Sequence, residues 1–387
     1  MKTIVISKQK LFMLEINKTK ICNISIHYLP INGGQEIYID NLNKILVHDN
    51  FETSILQRYT RLKMPEDKKV HFTLRIPKYL FFDRLIQNAS WFIFNISLYL
   101  SKKILKKQDI LICHYPFHYQ PISWHKKIII VSHGVLWSKD SKTLFDYYHK
   151  KVSMNLKDET GVFIVANDTN FLREIGYNIE PKTKFFSEVF KNVWFIPNCV
   201  DVNIFTRQKE ILKEKLILIP RNIRYDRGIH LAIEAFNIFA KNNIDYKMMI
   251  VGSGSGKYYE YCKTLVSKYN LADKVIFAGH ADQSEMIKYY NRSQITLIPS
   301  IEKEGTSLSA LESMSCGTST IVTSIGGLLD LPAIQTSLNI DNISDTLNYV
   351  AQHSTEISTK QQIEVQKNFN TTLWKKAWLN VINKINH

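Results

Sequence analysis

Two glutamates with seven residues between them, Glu304 and Glu312, stand in IPSIEKEGTSLSALESMSCGTSTIVTSIGG, residues Ile298–Gly327. The pattern reads as a strand over Ile295–Pro299, a short loop and a helix from about Ser307. A stop at Gly317, a strand over Thr320–Thr323 and a Gly-Gly turn follow. The step from loop to helix puts Gly305, Thr306 and Ser307 where the first free N–H groups of a helix point outward, a place that binds anions and phosphate above all. Glu304 stands at the mouth of that step and Glu312 about two turns into the helix. One carboxylate in a crevice and one beneath it suit a phosphorylated, polyhydroxylated ligand. The spacing Ser309-x-x-Glu312 also fits a capping box, in which the glutamate only satisfies a backbone N–H.

Further groups with chemical potential are scattered along the chain. Arg221 and Arg227 flank a turn in IPRNIRYDRGIHLAIEAF, and paired guanidinium donors bind phosphate. Two loop arginines are equally an ordinary solvated surface. Gly252, Gly254 and Gly256 form G-x-G-x-G after an apolar run, which is a tight turn or a weak dinucleotide signal. His114 and His133 each end an expected strand, where parallel sheets place their binding crevice; a lone histidine there is also a common satisfied core residue. Gly33-Gly34 is either a plain strand-to-helix turn or a close approach of backbone to a ligand.

The elements that must position these groups alternate. Strands are expected at Ile21–Tyr28, Ser54–Gln57, Ile110–Cys113, Ile128–Ser132, Val162–Ala166 and Val193–Ile196, with helices at Glu36–Val47 and Leu80–Leu105. A second series runs through strands at Leu216–Ile219, Tyr246–Val251 and Val275–Ala278, with helices at Ile229–Lys241, Tyr258–Tyr269 and Gln283–Asn291. Short apolar strands between helices imply parallel sheets covered on both faces. A length of 387 residues fits two domains, and the charged stretch TRQKEILKEK marks the boundary near 203–214. The expected domains are 1–205 and 215–365, with a last helix at Asn370–Ile385.

Five scattered cysteines without C-x-x-C argue against a zinc site or disulfide framework and for a reducing compartment. The charged N-terminus lacks the apolar stretch of a signal peptide. The longest apolar run, Trp91–Leu100, is too short to span a bilayer. A net charge of +15 points to an anionic substrate or membrane surface, and the absence of zinc-finger or RNP-like motifs argues against nucleic acid.

The pattern E-G-x-x-L-x-x-x-E, followed by C-G and G-G, closely resembles the signature of retaining glycosyltransferases of the GT-B fold, and within them the large family 4 (glycosyl transferases group 1). Arg221 and Arg227 resemble that family's diphosphate clamp, with Pro220 and Arg227 where Gly and Lys are usual. Gly252 resembles its VG-x-G, FIPNCVDVNIF its I-P-N-G-V-D, and His114 and His133 its H-x-HYP and HG positions. The resemblance implies an α/β chain of two Rossmann-like domains whose parallel sheets face each other across a cleft, with the last helix crossing back to the first domain. It implies Glu304 and His133 as catalytic groups, on opposite walls of the cleft. Arg221, Arg227, Gly252, the N–H groups from Gly305 to Leu308, and Glu312 would hold the nucleotide sugar; Gly33, Gly34 and His114 would line the acceptor side. The implied activity is a metal-independent hexosyl transfer from a UDP- or GDP-linked sugar, with no further cofactor. The implied acceptor is a lipid-linked or polysaccharide glycan of the bacterial envelope, reached in the cytoplasm or at the inner face of the membrane. Lys102–Lys107 and Trp91 would rest on anionic lipid. The alternatives are a catalytically inactive sugar-binding partner and a nucleotide-sugar epimerase.

Overall fold

A computed structural model describes residues 18–29, 33–60, 69–73, 89–138, 143–302 and 304–387. The first sheet comprises β1 (Lys20–Ile24), β2 (Glu52–Gln57), β3 (Val70–Phe72), β4 (Ile110–Cys113), β5 (Ile128–Ser132), β6 (Val162–Ala166), β7 (Ser187–Phe190) and β8 (Val193–Phe195). Their order is β3-β2-β1-β4-β5-β6-β8-β7, parallel throughout except for the antiparallel edge strand β7. The second sheet comprises β9 (Glu214–Ile219), β10 (Lys247–Val251), β11 (Val275–Gly279), β12 (Ser293–Ile298), β13 (Ser319–Thr323) and β14 (Ile334–Thr336), in the order β11-β10-β9-β12-β13-β14. Runs such as ILIC, IIIVS and VFIVA are buried along their whole length, as strands covered on both faces must be.

In each sheet the strand order reverses once, between β1 and β4 and between β9 and β12. Connections leave these adjacent strands toward opposite faces, so a crevice opens at their carboxyl ends. His114 follows β4; Arg221 follows β9 and Glu304 follows β12. The topology alone therefore gathers groups that lie far apart along the chain.

Helix α1 (Gly34–His48) leads from β1 to β2, and α2 (Ala89–Leu100) buries Phe94 and Leu98 in the same core as Leu111 and Cys113 of β4. Two expected boundaries shift by several residues. Strand β1 ends at Ile24 rather than Tyr28, because Ser25 Oγ donates to the His27 carbonyl in a local turn. The helix expected over Leu80–Leu105 ends at Leu100: Ser101 bonds back to the Ser97 carbonyl, and a separate turn covers Lys102–Leu105. Residues 80–88 of that expectation lie outside the described residues, as does the N-terminal stretch 1–17. The 29-residue helix α9 (Ile340–Asn368) was not legible, since its apolar stripe Ile343, Leu347, Val350 fades after a kink at His353.

The chain passes from the first domain to the second between β8 and β9, and crosses back through α10 (Thr371–Asn386), which returns to the first sheet. Its Trp374, Ala377, Trp378, Val381 and Ile382 pack with Ile21, Tyr38 and Leu42. Both crossings run side by side: the Val200 N–H donates to the Phe369 carbonyl at 2.8 Å, and Val200 bridges Asn370.

Candidate functional site

The segment between β12 and β13 folds as its pattern predicts, with helix α8 over Leu308–Ser315. Ser307 is the N-cap and accepts from the Ala310 N–H at 3.4 Å. Glu312 is not part of a capping box: it accepts from the Tyr290 hydroxyl at 2.9 Å instead. Burial in this setting pushes its carboxyl up to about 7. The capping-box reading is thereby removed.

Glu304 is held by three groups at once. Arg221 Nη2 lies 2.6 Å from its Oε2, Arg227 Nη1 reaches the same oxygen, and Ser300 Oγ donates to it at 3.0 Å. Burial alone would raise its pKa, but the two guanidiniums outweigh that and hold the carboxyl below the usual range. Glu304 therefore shares its single negative charge between the two cations expected to meet a diphosphate. The buried Arg221 Nε has no hydrogen-bond partner among the described residues.

A cleft of about 450 Å³ opens beside this cluster. Arg221, Arg227, Gly252, Leu308, Ser309 and Glu312 line its second-domain wall, and Gly33 and Gly34 face them from the first domain. Gly252 is required by close approach: a Cβ there would lie 2.3 Å from the Arg221 carbonyl oxygen. Gly34 leaves just enough room for Leu308 across the gap, its Cβ position lying 3.4 Å from Leu308 Cδ1.

Gly305, Thr306 and Ser307 are placed differently from the expectation that all three face a phosphate. Thr306 and Ser307 are buried at 2% and 3% exposure. The Thr306 hydroxyl donates to the Asn167 carbonyl at 3.1 Å and accepts from the Asn198 N–H at 2.9 Å. Gly305 touches Asn167 and the His133 carbonyl so closely that a Cβ would sit 2.9 Å from each. Gly305 and Thr306 join the domains and Ser307 is spent as the cap, so the edge of the helix open to the cleft begins at Leu308.

His133 and Glu304 come from different domains, as expected, but they do not share the cleft described above. The half-buried His133 ring turns into the first domain. Its Nε2 lies 3.1 Å from His114 Nδ1, and the Tyr38 ring meets it edge-on at 4.9 Å. Loss of hydration pushes the His133 pKa down to about 3 and that of His114 well below the usual value. His114 is fully buried and does not reach the cleft; its Nε2 meets Asn23 Oδ1 at 2.8 Å.

Several participants escaped sequence reasoning. Ser300 and Tyr290 hold the two glutamates. Asn23 is a polar residue inside an otherwise apolar strand, which was the available signal. Asp330 accepts from the Thr169 N–H and hydroxyl, both at 2.8 Å, and from the Lys182 N–H at 3.1 Å, tying the second domain to the first. Asp168 caps α4 (Thr169–Glu174), and burial followed by the Asp330 charge pushes its carboxyl up to about 7. Its Oδ2 and Asn167 Oδ1 are buried without hydrogen-bond partners among the described residues. The polar triplet Asn167-Asp168-Thr169 at the end of β6 has the same strand-end position as His133.

The comparisons agree with this architecture. Residues 202–333 match the family of glycosyl transferases group 1. An uncharacterized glycosyltransferase of Methanocaldococcus jannaschii is 33% identical over 119 residues, 30% of this chain and 29% of that one. The match thus spans under a third of that relative's length. Sucrose-phosphate synthase from Thermosynechococcus elongatus superposes with a TM-score of 0.75 over 95% of this chain and 99% of its own, at 16% identity. Anabaena HepE, solved with UDP and glucose, superposes with a TM-score of 0.70 over 94% and 99%, at 12% identity. The chain is a two-domain α/β protein of the GT-B fold, and residues 202–333, most of its second domain, match the glycosyl transferases group 1 family.

Proposed function

We propose that this protein is a glycosyltransferase that moves a sugar from a nucleotide diphosphate to an acceptor with retention of anomeric configuration. The observation that carries this reading is the joint placement of Arg221, Arg227, Glu312 and the first turn of α8 around one interdomain cleft. Two guanidiniums and the start of a helix line this cleft, and preorganised donors of this kind would accelerate the departure of a diphosphate as its negative charge grows. Glu312, steadied by Tyr290, is suited to accept from the ribose hydroxyls. Glu304, once released from the arginines by the incoming diphosphate, stabilises the positive, oxocarbenium-like sugar. HepE was solved with UDP and glucose in the same fold, which supports a UDP-linked donor over a GDP-linked one.

The arginines take the part that a metal plays elsewhere, so no metal or other cofactor is invoked. The acceptor is a lipid-linked or polysaccharide glycan, and the first domain meets it at an anionic membrane surface. Among the described residues no helix is long and apolar enough to cross a membrane. The deciding experiment is a panel of nucleotide sugars in excess EDTA, scored by thermal shift and then by transfer. A true donor raises the apparent melting temperature by mass action and is consumed without added metal. A shift with neither hydrolysis nor transfer would favour the inactive sugar-binding reading. A strict requirement for Mn²⁺ or Mg²⁺ would overturn the metal-free reading.

A further inference from the structure

A chain of hydrogen bonds runs from α1 to the strand end that carries His133. Asn23 Nδ2 donates to Asn43 Oδ1 at 2.9 Å, so the Asn23 carbonyl oxygen is turned toward His114 Nε2, 2.8 Å away. His114 Nδ1 in turn lies 3.1 Å from His133 Nε2. Asn23 and His114 are fully buried and Asn43 nearly so. A neutral imidazole has one donor and one acceptor nitrogen, and the bond made by one nitrogen dictates the role of the other. Desolvation keeps both rings neutral at ordinary pH. The Asn23 oxygen can only accept, so His114 carries its proton on Nε2 and presents a lone pair on Nδ1. His133 must then donate from Nε2, which leaves its Nδ1 as an acceptor.

We propose that Asn23, acting through His114, is a positioning residue that holds His133 in the Nε2–H tautomer, leaving Nδ1 to accept a hydrogen bond from a substrate hydroxyl. Ring orientation is held from the other side by Tyr38, whose edge meets His133 and whose hydroxyl accepts from Trp378 Nε1 at 3.0 Å. The returning helix thereby braces the same ring that the asparagine polarises. The consequence for turnover rests on the transferase reading above; the tautomer does not.

The test is long-range ¹H–¹⁵N NMR of the histidine rings in the full chain, with the His133 signals assigned by their loss in His133→Gln. The wild type should show His133 protonated on Nε2. Asn23→Leu removes the acceptor and should give a mixture of both tautomers. Asn23→Asp, which keeps a carboxyl oxygen facing His114 Nε2, should keep the wild-type form. In transfer assays Asn23→Leu should lower kcat about tenfold without changing the donor KM, and Asn23→Asp should recover it. A His133 protonated on Nδ1 in the wild type, or an Asn23→Leu spectrum identical to wild type, would overturn the proposal. So would a changed tautomer with unchanged kcat. Should Asn23→Leu fail to fold, the wild-type and Asn23→Asp spectra decide. Absence of transfer with any donor would count against the enzymatic reading alone.

Discussion

The carboxylate of Glu304 and a substrate diphosphate need the same two guanidiniums. Arg221 and Arg227 converge on one oxygen of Glu304. A buried ion pair gains little net energy after desolvation, but removing one partner leaves the other exposed to any available counter-ion. Glu304→Gln should therefore tighten binding of inorganic pyrophosphate by about tenfold, roughly 1.4 kcal/mol, while transfer falls by about 10²-fold or more. Calorimetry and initial rates on the true acceptor read the two effects. Wild-type turnover in this variant would remove Glu304 from the mechanism.

Glu312 poses the opposite problem, a carboxyl whose burial favours the neutral form. Its pKa is raised in the fold to about 7. A raised carboxyl holds its proton better folded than unfolded, so its contribution to stability is complete below the ordinary carboxylate range and is lost as pH rises through about 7. Glu312→Gln should flatten that loss, giving a higher melting temperature than wild type at pH 8 and little difference at pH 5. The same variant should weaken donor binding. The difference between the two pH profiles isolates Glu312 from Asp168, which titrates in the same range. Lower stability at every pH with unchanged donor affinity would contradict both the site role and the burial argument.

At the scale of elements, helix α2 corrects an expectation about the membrane. Trp91 does not face outward: it stacks on His118 at 5.1 Å and meets Phe117 and Phe145 edge-on. The exposed face of α2 is instead Ile96, Tyr99 and Leu100, each more than half exposed. On α3 (Leu144–Asn155), Leu144 and Tyr147 are exposed to a similar degree. Lys102, Lys103, Lys106 and Lys107 follow α2 and are all exposed. Apolar side chains beside lysines suit the headgroup region of an anionic bilayer, where each cation contributes roughly 1 kcal/mol. Replacing Lys103, Lys106 and Lys107 by glutamine should weaken binding to phosphatidylserine-containing liposomes by about 10²-fold on that scale, read by co-sedimentation. Tyr99→Ser should weaken it by a smaller amount. Binding that does not depend on the anionic lipid fraction would exclude this surface.

For the whole molecule, the decisive contact is Asp330 across the domain junction. Three donors of the first domain converge on its carboxylate, and charged acceptors make the stronger class of hydrogen bond. The glycine pair after β13 allows this approach: a Cβ on Gly327 would lie 2.4 Å from the Gly305 carbonyl carbon and 2.6 Å from Asp168 Cβ. Asp330→Ala leaves the Thr169 N–H buried without its acceptor, at a cost of about 2–3 kcal/mol to this arrangement. Small-angle scattering should then report a larger radius of gyration than wild type, while each domain keeps its secondary structure by circular dichroism. An unchanged radius would mean that the Thr306 and Gly305 contacts suffice to hold the domains together.

Much of this protein was legible along the chain because its signals are local. Strands buried on both faces must be continuously apolar, so β4, β5 and β6 were bounded to the residue. The loop-to-helix step at Glu304–Leu308 is written in one short segment. Other features have no local signature. Whether Glu312 caps a helix or faces a cleft depends on Tyr290, which lies 22 residues earlier. Whether Glu304 meets a ligand or two arginines depends on β9 and β12 lying side by side. Whether His133 is polarised depends on Asn23 and His114, brought together by the pairing of β1 with β4. Residue types and spacing determined which groups could do chemistry, since propensity and capping act over a few residues. Which atoms they face was decided by tertiary structure, because charge pairing, burial and tautomer choice depend on neighbours that are distant in sequence and meet only when the sheets and the two crossings close.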